Sequence, residues 1–313
     1  MNKTEDFMRE DLKQKLIAEG FRPFEQMSYQ EYEPYQNVIE CSELTYIMLF
    51  SYDEEYPFYI RKVKNALVIL EEDYIKDVFT TIIPLEEEKL PEVLTEVVDT
   101  IRRMGLTTRI GSLSKRYADL LEHHPYVAGV SYDRDYSDYV YDISQYLDLK
   151  GKENSHKRRD LNRIRAEFPN IRVENFVPIK ENIELLIGII QKWCDGYECE
   201  KCVYGCERDM IRRVISSDLV EHLYASIMYI DDVPEMMAIA ETIKDTCYLY
   251  YKKSANRIQG SFYYFEYEFL KRLSGVRYVN FEEDMGLPGL REYKMRRRPV
   301  KMIHKYTLEI VEE

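Results

Sequence analysis

The run from Glu282 to Pro299, EEDMGLPGLREYKMRRRP, changes sign halfway along. Glu282, Glu283 and Asp284 come first, a Gly-Leu-Pro-Gly turn follows, and Arg291, Lys294, Arg296, Arg297 and Arg298 close it. Pro288 suits the first turn of a helix. On that helix Arg291, Lys294 and Arg298 stand at i, i+3 and i+7 and share a face, with Leu287, Leu290 and Tyr293 near the flank that packs inward. Carboxylates just before a helix start are favoured by its dipole. That accounts for the order of the signs, but capping needs one or two bases and here there are five. The surplus suits a second role, holding an anionic group such as a phosphate, beside carboxylates that are candidates for orienting an attacking group.

A second basic run lies at 150–165, KGKENSHKRRDLNRIR. It holds seven Lys/Arg against two acids, and 291–305 holds seven against one, so these 31 residues carry a net +11 in a chain of formal charge −13. Overall acidity argues against nonspecific nucleic-acid binding, while two focused patches can hold phosphates locally. Lys150, Lys157 and Arg158 are the anion-binding candidates of the first patch, with Arg159 and Arg163 on the same predicted helix. The bland alternative for either patch is a solvated helix face. Four of the six cysteines, Cys194, Cys199, Cys202 and Cys206, form a C-x4-C-x2-C-x3-C run. The spacing leaves free thiols and a bound metal both open; zinc stands ahead of an iron–sulfur cluster, in a bracing role. The five histidines form no ligand spacing, and there is neither a G-x-S-x-G motif nor a Cys–His nucleophile pair.

The elements that position these groups follow from periodicity. The first half reads as helix, a three-stranded meander (PFYIRKV, NALVILEE, IKDVFTTII), a long helix over about 88–104 stopped by Gly105, a strand, a helix and two strands around 126–142. The second half repeats the order: helices over 181–193 and 207–217, strands EHLYASIMYI, PEMMAIAETI and TCYLYYKK, a helix over 260–273, strand VRYVNF, the helix after Pro288 and a final strand VKMIHKYTLEIV. Asp231-Asp232 fits a hairpin turn. The pattern predicts two tandem α/β (α+β) domains, 1–147 and 148–313, each a mixed and largely antiparallel sheet flanked by helices. Twenty-eight tyrosines against one tryptophan predict many half-buried hydroxyls. The N-terminus has no apolar h-region and no window approaches eighteen uninterrupted apolar residues, so a cytoplasmic chain is expected.

This order resembles the acyl-CoA N-acyltransferase (GNAT) fold, and a pair of such domains resembles the Fem-type aminoacyltransferases. Two stretches narrow it. DRDYSDYVYDISQYLDLKGKENSHKRRDLNRI (133–164) and NFEEDMGLPGLREYKMRRRPVKMIHKY (280–306) resemble the signatures of the domain found at the C-terminal end of bacterial phosphatidylglycerol lysyltransferases. Two positions depart from that pattern: Phe281 stands where the family has Arg, and Lys252 where it has Glu. The resemblance implies an acyl or aminoacyl transfer from aminoacyl-tRNA or acyl-CoA to an amine, hydroxyl, peptide or lipid-headgroup acceptor, without a covalent enzyme intermediate. It implies that Glu282 and Asp284 orient the attacking group and that Tyr251 or Tyr306 donates a proton. Arg291, Lys294 and Lys305 would bind the donor's anion. RIQGSF (257–262) falls where the GNAT fold carries its pyrophosphate turn, so Arg257 and Gly260 join the anion-binding candidates. The rival expectation is a non-catalytic pair of such domains that senses nucleotide, RNA or metal.

Overall fold

The computed structural model describes residues 3–74, 77–196, 205–256 and 258–312. The chain divides into two compact units, Met1–Ser137 with Ile303–Glu313, and Asp138–Met302. The first unit contains α1 (Lys3–Ala18), β1 (Arg22–Pro23), α2 (Tyr29–Gln36), α3 (Tyr46–Tyr52), β2 (Phe58–Val63), β3 (Ala66–Tyr74), β4 (Asp77–Pro84), α4 (Leu90–Arg103), β5 (Thr107–Leu113), α5 (Lys115–Leu121) and β6 (Val127–Tyr132). The second begins with β7 (Asp138–Asp142), α6 (Ile143–Leu147), α7 (Ser155–Glu167), β8 (Arg172–Val177), α8 (Ile183–Asp195) and α9 (Glu207–Ile215). It continues through β9 (Tyr224–Ile230), β10 (Val233–Ile243), β11 (Thr246–Ser254), α10 (Ser261–Leu270), β12 (Tyr278–Asn280), α11 (Pro288–Arg296) and β13 (Lys301–Ile303). The last strand, β14 (Tyr306–Ile310), belongs to the first unit.

Each unit is a seven-stranded mixed sheet flanked by helices, as the expected tandem GNAT-like arrangement requires. The orders are β1-β2-β3-β4-β5-β14-β6 and β13-β7-β12-β11-β10-β9-β8. In both, an antiparallel meander leads into a parallel pair, β4 with β5 and β11 with β12. A parallel neighbour needs a crossover, and α4 and α10 supply it. α4 shows why it seals its sheet: Leu90, Val93, Leu94, Val97, Val98 and Ile101 recur at helical spacing and are all buried. In the second unit Met236 to Ala240 of β10 are buried on both faces, as a central strand demands. Asp231 and Asp232 adopt φ of +49° and +64°, the left-handed pair of a two-residue hairpin turn between β9 and β10.

The division differs from the expected 147/148 boundary. The two strands around 126–142 part company, β6 staying in the first sheet while β7 pairs with β12 in the second. The single final strand expected over 300–311 is two strands serving different sheets. β13 lies at the edge beside β7, whereas β14 lies between β5 and β6 with Leu308 fully buried. Alternation of apolar residues shows that a strand exists but not which sheet receives it. Deleting residues 304–313 removes an interior strand from the first sheet. The β5 and β6 amides should then exchange hydrogen as in an unfolded chain while β10 keeps its protection, a pattern that hydrogen-exchange mass spectrometry reads directly.

Candidate active site

β11 and β12 pair only over Thr246–Tyr248 and Tyr278–Asn280. β11 then runs six residues further, and the chain after β12 turns into the signed stretch. That stretch is organised by Lys294. Its ammonium, buried on α11, donates to three consecutive carbonyls: Phe281 at 2.6 Å, Glu282 at 3.2 Å, and Glu283. Three successive carbonyls converge on one point only if the backbone coils around it, and Glu282, Met285 and Gly286 all adopt left-handed φ of +57°, +50° and +70°. Asn280 supports the coil by accepting the Glu282 N–H at 2.8 Å and donating to Asp138 at 2.8 Å. Burial lowers the Lys294 ammonium to about 8, against the pull of Glu282.

The carboxylates divide in role. Asp284 is fully buried and receives a forked pair from Arg291, Nε to Oδ2 at 3.0 Å and Nη2 to Oδ1 at 2.9 Å, together with the Gly286 N–H and the Tyr139 hydroxyl. The order of the signs is therefore an ion pair within the turn as much as a dipole effect. Glu282 is different. Its Oε1 is sealed from solvent and has no hydrogen-bond partner. Burial pushes its carboxyl well above the usual carboxylate range; Glu283, Asp138 and Glu207 add to this, and Lys294 opposes it. A carboxyl so placed can accept a proton from an amine or hydroxyl.

The other predicted residues fall as follows. Lys157, buried on α7, repeats the Lys294 arrangement, donating to the carbonyls of Gln145 (3.2 Å), Tyr146 (2.9 Å) and Asp148 (3.5 Å); burial lowers it to about 8. Arg158 donates to the carbonyls of Leu149 and Gly151, and Lys150 is exposed. Gly260 caps α10 at φ +86°, where a side chain would be strained, and a Cβ there would lie 2.7 Å from Arg163 Nη2. That guanidinium bonds the Gln259 carbonyl at 2.9 Å and its amide oxygen at 3.0 Å, covering the turn. Tyr251 is buried on β11. Lys305 and Tyr306 lie in the first unit, where Lys305 bonds Glu43 at 2.6 Å and Tyr306 packs on Tyr132. Cys194 is buried near the end of α8 and Cys206 precedes α9; Arg257, Cys199 and Cys202 lie outside the described residues. Among the described residues no three His, Cys, Asp or Glu come together as a metal site, and no helix is long and apolar enough to cross a membrane.

Sequence reasoning missed one group that lies where β11 and β12 part. Glu266 of α10 is fully buried, receives Lys252 on Oε1, and receives the hydroxyls of Tyr146 and Tyr293 on Oε2, the latter at 2.7 Å. Arg297 stacks on Tyr263 and Tyr293, 4.1 and 4.7 Å from their centroids. Burial raises the Glu266 carboxyl, but Lys252 and Arg297 outweigh it and hold it below the usual range. The available signal was phase: within the aromatic run FYYFEYEF, Glu266 shares the inward face with Tyr263 and Leu270.

The family model described as "Phosphatidylglycerol lysyltransferase, C-terminal" matches residues 40–309. The chain belongs to this family. No curated protein matches it in sequence. Among solved structures, a conserved protein of unknown function from Bacteroides thetaiotaomicron VPI-5482 is 20% identical at a TM-score of 0.77, over 94% of this chain and 99% of that one. L-PGS from Bacillus licheniformis is 14% identical at 0.65, over 89% and 90%. FemX is 10% identical at 0.59, over 91% and 96%. At these identities the likeness is one of fold. Within the family fold, Lys294→Met keeps the stem but leaves three carbonyls without their donor. The expected loss is about 3 kcal/mol or more of stability, read as a lowered urea midpoint.

Proposed function

We propose that this chain is an acyl- or aminoacyltransferase acting in its second unit, where β11 and β12 part. It would move an activated acyl group directly to an amine or hydroxyl, with no covalent enzyme intermediate. The observation that carries this reading is Glu282, a carboxyl with a raised proton affinity and a buried, unpartnered oxygen on a backbone held in a left-handed turn. As the acceptor nitrogen or oxygen attacks the acyl carbon, Glu282 takes its proton; the bond from the acyl carbon to the donor breaks, and the departing oxygen or sulfur takes a proton in turn, with Tyr251 as the candidate donor. Asp284, Arg291 and Lys294 hold the turn in shape. Family membership supports transfer of an aminoacyl group, and Arg163 lying across the Gly260 turn favours aminoacyl-tRNA over acyl-CoA, whose pyrophosphate would have to displace it.

The test is transfer of label from aminoacyl-tRNA, or from acyl-CoA, to small amines, peptides and lipid headgroups. Glu282→Gln should lower kcat/KM by about 10²–10⁴ with little change in stability. The wild-type profile should be bell-shaped: activity rises as Glu282 ionises, above the usual carboxylate range, and falls near pH 8 as Lys294 loses the charge that orders 281–283. The Gln variant should lack the rising limb. The internal neutralisation of Asp284, Arg291 and Lys294 favours a second reading, a binding protein that senses nucleotide, RNA or metal. Equal thermal stabilisation by charged and uncharged tRNA, without label transfer, would decide for it. A zinc ion on Cys194, Cys199, Cys202 and Cys206 would brace the segment between α8 and α9 in either case. Near one zinc per chain is then expected in protein purified anaerobically, and none would remove the site.

A further inference from the structure

The Lys252 ammonium stands among three aromatic rings. Its Nζ is 5.4 Å from the centroid of Phe262, 5.0 Å from Phe281 and 5.7 Å from Tyr293, with the Glu266 carboxylate at its head. Rings around a cation, closed by a carboxylate, are the chemistry by which proteins hold ammonium ions. The box is built without Lys252. Its rings come from α10, from the residue after β12 and from α11, and two tyrosine hydroxyls fix the other oxygen of Glu266. Arg297 stacked close by supplies a second cation, so the carboxylate has reason to stay ionised when Lys252 is absent. The Glu266 side chain is wholly buried while that of Lys252 is 18% exposed, so the way in from solvent runs along the lysine stem.

We infer that Phe262, Phe281, Tyr293 and Glu266 form a binding site for a primary alkylammonium group, occupied here by the chain's own Lys252. A second ammonium meets both a filled box and a like charge, so Lys252 is a specificity-determining residue that closes this place to cationic groups. Its meaning for substrate choice rests on the transferase reading above. The binding chemistry does not, and it can be tested without activity.

Lys252→Ala removes the atoms of n-propylammonium and should free the box. Thermal unfolding of the wild type, the variant and the Lys252→Ala/Glu266→Gln pair is measured against n-propylammonium and against 1-propanol, its neutral counterpart. The ammonium should raise the Tm of Lys252→Ala in a saturable way, leave the wild type unmoved, and fail in the double variant, while 1-propanol has no such effect. Equal effects of amine and alcohol, equal effects on variant and wild type, or no effect at all would overturn the site. Should Lys252→Ala not stay folded on purification, refolding it in either compound decides: a higher soluble yield in the ammonium supports the box, and equal yields refute it. Loss of the amine effect alongside retained label transfer would sink the box alone; an intact amine effect without transfer would sink the transferase reading alone.

Discussion

The second unit turns on one buried ammonium. Water gives a lysine head group its hydration, and burial takes that away at a cost of several kcal/mol unless other oxygens replace it. For Lys294 the replacements are the carbonyls of three adjacent residues. The backbone must coil to present them, and that coil is what sets Glu282 at a left-handed φ and leaves its carboxylate oxygen enclosed. The strain is held from both sides, by the Asn280–Asp138 bond before the coil and the Asp284–Arg291 fork after it. Strain over-determined in this way is a common companion of reactive groups.

The same physics answers why an acidic chain concentrates so many bases in two short runs. Lys157 and Lys294 are each solvated by carbonyls, Arg158 and Arg298 also donate to carbonyls, Arg291 neutralises Asp284, and Arg297 lies on tyrosine rings. Part of the positive charge is therefore spent within the chain, fastening loops and turns. Lys150, Lys152, Arg159, Arg165, Arg296, Arg298 and Lys301 are exposed.

What was legible in the sequence was what depends on neighbours along the chain. The meanders, the glycine that ends α4, the Asp-Asp hairpin and the inward face of α4 all follow local rules, and tandem repetition of their order disclosed two like units. The exchange of β7 and β14 between sheets was not legible, because pairing partners are chosen over more than a hundred residues. Glu282, Asp284, Arg291 and Lys294, singled out from the sequence as candidates, share one turn, but their hydrogen-bond partners within it were not legible. Carbonyl acceptors carry no letter in a sequence, so a lysine that binds backbone reads the same as one that binds phosphate. Lys252 and Phe281 stood out as separate departures from the family pattern; their 5.0 Å contact makes them one feature.

The placement of β14 bears on how the chain is made. Synthesis delivers every other strand of the first sheet before the second unit has begun, yet the strand that lies between β5 and β6 arrives last. The first unit must wait with an open slot while the whole second unit emerges. Its exposed strand edges through that interval are a liability for pairing with other chains. The first unit thus lacks one of its interior strands until the second has been made.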